Sequence, residues 1–196
     1  MHMHMPRAFS ATQTDTGQPP ARRAVRTVSL RVAIGGAAWI LALVSFAGQL
    51  ISRSDSAWIA MGSLTLVGAV LTRPVWPART MAQLGMVLVA VAGIAQVLVG
   101  LAPVGIRLPA ALVAGMTANV AILLLGLVVW QARWEGWTAL VGALLGLLGV
   151  LSGLAFGSTI ETTLNLATYP EAVWLAAVGS LLVANAAHLG TRGHER

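Results

Sequence analysis

The sequence predicts an all-α, polytopic transmembrane bundle of six helices with both termini on the inner side. Three observations lead there. Of 196 residues, 57% are hydrophobic and only 9% are charged, against about 25% charged in a soluble domain. The charged residues leave uncharged runs over 32–52, 56–72, 80–106, 108–132, 136–160 and 172–191. About 20 apolar residues cross the ~30 Å hydrocarbon core as a helix, with ~17 as the lower limit, and every run reaches that length. Runs such as Ala121-Ile122-Leu123-Leu124-Leu125 do not alternate, as the ~10-residue strands of a membrane barrel would. Cysteine is absent, which excludes disulfides, thiolate metal sites and cysteine nucleophiles.

Residues 1–29 are rich in Thr, Gln, Pro and Arg and lack apolar periodicity. They predict a disordered, basic cytoplasmic tail whose arginines are drawn to anionic lipid, each worth ~1 kcal/mol near the surface. Met1-His2-Met3-His4-Met5 carries ligands that suit copper(I), but it reads as an incidental start, so neither metal nor cofactor is expected. No aromatic-interleaved basic motif accompanies the net charge of +6, so nucleic acid is not an expected partner. The membrane domain covers 30–190, with spans near 32–52, 56–72, 80–102, 109–131, 137–157 and 171–190, and 191–196 form a second cytoplasmic tail. An alternative reading makes Arg22 to Arg31 a signal-peptide n-region, cut near Ser45-Phe46-Ala47. The apolar run is longer than the ~7–15 residues of such a signal, so a retained span is expected.

Helix punctuation marks the span ends. Arg73-Pro74 and Pro77 close the second helix, because proline cannot continue one. Thr80 and Gln83 have capping-box spacing for the third, and Ser158 and Glu161 for a short interfacial helix. Pro109 suits the first turn of the fourth. Thr168, Pro170 and Glu171 read as the N-cap and first turn of the sixth.

Arginine placement sets the orientation. An inner N-terminus puts ten arginines inside (Arg7, Arg22, Arg23, Arg26, Arg31, Arg73, Arg79, Arg133, Arg192 and Arg196) and two outside, Arg53 and Arg107. That is the positive-inside pattern. Trp58, Trp174 and Tyr169 then fall at the outer interface and Trp76, Trp130, Trp134 and Trp137 at the inner one, as an aromatic belt would. Arginine without lysine, with abundant Ala, Gly and Val, points to the plasma membrane of a GC-rich bacterium.

Chemistry-bearing groups inside the spans are few. His188, the one histidine in or beside a span, falls where a cation complements a helix C-terminus. Paired histidine sites, carboxylate relays and activated serines have no supporting residues. Gln96, Asn119 and Asn185 are the intramembrane amides; each needs a partner in hydrocarbon, as interhelical glue or as a solute contact. Gly142, Gly146, Gly149, Gly153 and Gly157 share one helix face and allow close backbone approach, within the bundle or between copies. Glu161 and Glu171 are outer-face carboxylates that read as caps, with paired acid–base chemistry as the alternative.

Three stretches carry a family resemblance: Gly93-Ile94 through Leu98-Val99-Gly100-Leu101-Ala102-Pro103, then Asn119 through Gly126, then Leu166-Ala167-Thr168-Tyr169-Pro170 with Trp174 and Gly179. Over roughly its last four spans the chain resembles the bacterial integral-membrane family called domain of unknown function 998. The resemblance implies a six-helix bundle and brings no activity. Many members carry a histidine where this chain has Arg107 and Leu108, and Glu-Arg where it has Leu164 and Asn165.

The functional expectation is therefore non-enzymatic: binding of lipid or a protein partner, or self-assembly into a homo-oligomer. The alternatives are a carrier for a neutral or hydrophobic solute, lined by Gln96, Asn119 and Asn185, and an outer-face enzyme using Glu161 and Glu171.

Overall fold

The computed structural model describes residues 20–52, 54–131, 144, 146–148 and 160–192. Five long helices account for nearly all of them: α1 (Pro20–Ser52), α2 (Asp55–Thr72), α3 (Thr80–Leu101), α4 (Val104–Gln131) and α5 (Ile160–Arg192). A 3-10 turn, Arg73–Val75, follows α2. Among the described residues, four segments are long and apolar enough to cross a membrane: Leu30–Ser52, Asp55–Val75, Thr80–Leu101 and Gly105–Val129. Leu144 and residues 146–148 of the fifth apolar run are helical. Gly142, Gly149, Gly153 and Gly157 lie outside the described residues.

The helices form a closed ring. α1 packs on α2, α2 on α3, α3 on α4, α4 on α5, and α5 back on α1. What sorts the faces is side-chain size. In α3 the buried face carries Ala82, Gly85, Val89, Ala92, Gly93, Gln96 and Gly100, while Leu84, Val87, Ile94, Leu98 and Leu101 point outward. Lipid is as apolar as leucine, so helices associate through close packing, and small residues permit it.

The crossings are close enough to exclude a methyl group. A Cβ on Gly36 would lie 2.6 Å from the Gly179 carbonyl oxygen, and one on Gly93 would lie 2.9 Å from the Gly62 carbonyl oxygen. Gly146 of the fifth run meets α4 in the same way, its Cβ position lying 2.7 Å from Leu123 N and 2.9 Å from Asn119 O. Gly68 leaves a slot for the Trp39 indole, whose Nε1 donates to the Thr65 carbonyl at 3.2 Å.

Several boundaries differ from the sequence reading. α1 begins at Pro20, so the last third of the expected disordered tail is helical. Arg79, not Thr80, caps α3, with no side-chain cap bond. Pro109 and Pro170 lie inside α4 and α5. Thr168 is therefore mid-helix and buried, and residues 160–190 form one helix where two were expected. Proline in a membrane helix is tolerated because neighbouring helices and local adjustment satisfy the freed carbonyl. Trp58, Trp76 and Trp174 are buried in the core; of the expected belt, Tyr169 is the described residue that is half-exposed, and its ring meets Phe46 edge-on at 5.4 Å.

Candidate functional site

Two apolar clusters fill the ring. One contains Trp39, Ala69, Met86, Ile122, Leu125, Leu175 and Val178. The other contains Phe46, Trp58, Met61, Val99, Ala111 and Ala172. Along their own helices, Thr65, Gln96 and Asn119 each fall between the two clusters, and Glu171 adjoins Ala172. All four side chains are 2% exposed or less. A polar layer thus crosses an otherwise apolar interior.

The centre of that layer is a hydrogen bond across the ring. Gln96 Nε2 donates to Glu171 Oε2 at 2.7 Å. α3 and α5 are not ring neighbours, so this bond is a transverse tie between helices on opposite sides. Gln96 lies five residues before the last residue of α3, about 7.5 Å along the axis at 1.5 Å per residue. The same end of α3 is marked by a bidentate ion pair, Arg107 to Asp55 at 2.7 and 2.9 Å, with Arg107 Nε also donating to the Ala102 carbonyl.

The pair is incompletely satisfied. Glu171 Oε1 and Gln96 Oε1 are both buried without a hydrogen-bond partner. Among the described residues no cation contacts Glu171, and the one ion pair is the Asp55–Arg107 bridge. Enclosing an ionised carboxylate without a cation costs several kcal/mol. Among the described residues, two buried acceptors here lack a donor, so a proton or a cation would be stabilised at this carboxyl.

The other expected site residues are placed differently. Asn119 is buried, and its Nδ2 donates 2.7 Å to the Gly115 carbonyl of its own helix. Asn185 is exposed. Gln96 donates to Glu171, and the exposed Asn185 stands apart from the buried Gln96 and Asn119. Glu171 departs from the outer-face expectation: it is enclosed, and its partner is an amide rather than a second carboxylate. Glu161 lies in α5 and the side chains of Glu161 and His188 fall outside the described ones. No cluster of three metal-ligating side chains occurs among the described residues.

Comparison with known proteins finds no matching family model, no matching curated protein and no matching solved structure.

The sequence held a usable signal for the pair. Gln96 shares a helix face with Gly85, Gly93 and Gly100, at helical spacings. Glu171 stands in the same relation to Leu175 and Gly179. A polar residue in register with a small-residue face points inward.

Proposed function

We propose that the protein is a multi-pass carrier in a bacterial plasma membrane, with both termini inside and Glu171 as its ion-handling group. The observation that carries this is the enclosed Glu171 carboxyl, tied across the ring to Gln96 and lacking any cation among the described residues. Ionisable residues inside a bundle mark ion and substrate pathways and proton relays. A carboxyl in this setting either holds a proton or receives an incoming cation, and exchange between the two states couples charge to cargo. The arginine asymmetry supports the orientation.

Proteoliposomes containing the full chain and trapped pyranine test the reading. An imposed pH step should collapse faster across wild-type vesicles than across empty ones. Glu171→Gln keeps the side-chain shape and removes the exchangeable proton, so it should return the rate to that of empty vesicles while the protein still inserts and melts normally. Equal proton flux in wild-type and Glu171→Gln vesicles would remove Glu171 from the mechanism. The lipid-binding reading keeps separate support from a cleft at the other end of the bundle.

A further inference from the structure

A cleft of about 230 Å³ opens between the end of α2 and the start of α3. Its floor is made of small residues, Ala69 and the fully buried Ala82, and its walls include Val70 and Val87, each more than half exposed. These valines face the bilayer, so the cleft opens toward lipid. Its lining runs along α3 from Gln83 to Ala90, about 10 Å at 1.5 Å per residue. At one end stand Arg73 and Gln83, both exposed.

Among the described residues the charge at that end has one sign. Arg73 pairs with no carboxylate among the described residues. Arg79, six positions on, donates to the neutral Gln131 amide at 3.3 Å. Arg31 is exposed at the same end of α1, one residue before Val32, which packs in one cluster with Trp76. Asp55, the exposed acid among the described side chains, lies at the opposite end of α2. An apolar groove facing lipid, with a guanidinium at the membrane surface that no carboxylate pairs among the described residues, suits an acidic phospholipid: acyl chain along the groove, phosphate at the cation.

We propose that the α2–α3 cleft is a binding site for an anionic phospholipid, with Arg73 and Gln83 holding the phosphate and the Ala69, Val70, Ala82 and Val87 surface holding the first part of an acyl chain. The site rests on the membrane-spanning reading and is independent of Glu171. Basic pockets between membrane helices on the cytoplasmic side are where such head groups bind, and the arginine distribution assigns this end to that side.

Native mass spectrometry of the full chain, titrated with phosphatidylglycerol or phosphatidylcholine in detergent, tests it. Wild type should retain phosphatidylglycerol in preference to phosphatidylcholine. Arg73→Gln should weaken phosphatidylglycerol about fivefold, the equivalent of ~1 kcal/mol per surface cation at 1.4 kcal/mol per decade. Ala90→Leu leaves every charge in place and fills the groove; it should weaken both lipids while the thermal transition stays near that of wild type. Three results would overturn the site: Arg79→Gln weakening phosphatidylglycerol as much as Arg73→Gln, Ala90→Leu binding both lipids like wild type, or glycerol phosphate protecting against heat as well as the intact lipid. The first would indicate general surface charge, the second an unoccupied groove, and the third a soluble phosphate ligand.

Discussion

Gln96→Leu keeps most of the side-chain volume and deletes the amide that donates 2.7 Å to Glu171 Oε2. Glu171 Oε1 already lacks a partner, so this variant leaves the whole carboxyl without a donor among the described residues. Stranding a buried polar group costs about 1–3 kcal/mol, and more if it is charged. Glu171→Leu strands the Gln96 amide in the same way, since Glu171 is its partner. The double variant removes both groups and replaces the tie with apolar contact, which can be nearly neutral. The double-mutant cycle should therefore show a coupling energy. Its size reports the state of the carboxyl: hydrogen bonds to charged groups contribute ~1.5–3 kcal/mol, whereas neutral interhelical bonds in membranes average ~0.6 kcal/mol. Reversible SDS-induced unfolding of the full chain in mixed micelles, followed by tryptophan fluorescence, measures all four corners. Additivity within ~0.3–0.5 kcal/mol, as expected for independent sites, would refute the cross-ring contact.

Two further outcomes follow from the same architecture. Gly62→Ala should destabilise by about 1–3 kcal/mol, the usual cost of overpacking, because its Cβ would meet the Gly93 carbonyl and lie 2.8 Å from Val97 N. Gly48→Ala, whose Cβ meets nothing within 4 Å, should be neutral or gain up to ~1 kcal/mol of helix propensity; equal melting shifts would show that the α2–α3 crossing is loose. Reporter fusions after Arg79 and Gln131 should be active in the cytoplasm, and a fusion after Arg107 outside; the reverse pattern would invert the bundle and move the lipid cleft to the outer leaflet.

Much of the helical framework was legible in the runs between charges, because a charge inside hydrocarbon is costly whatever the tertiary structure. The boundaries were harder. Pro109 and Pro170 look like helix starts under rules learned in water, where a missing N–H is tolerated chiefly in the first turn. Inside a bundle the neighbours absorb that loss, so α4 and α5 begin earlier. Tryptophan favours the headgroup region, which fits the positions of Trp58, Trp76 and Trp174 near span ends, but the pattern does not show that all three turn in against neighbouring helices. Trp39 shows why, since its slot is created by Gly68 on another helix and cannot be seen from either residue alone. Glu171 bounds an apolar run, which suggests a helix cap; its burial and its bond to Gln96, 75 positions away, come from tertiary packing that no local pattern shows.

The size sorting along α3 has a consequence for damaged or newly inserted protein. Each apolar face is as comfortable against lipid as against its neighbour, so a helix that leaves the ring loses shape complementarity and little solvation. Separation of α3 from α5 nevertheless exposes Gln96 and Glu171 to hydrocarbon together, and lipid resists that step. The cross-ring pair therefore opposes separation of α3 from α5 in particular, because only that separation strands both groups in hydrocarbon.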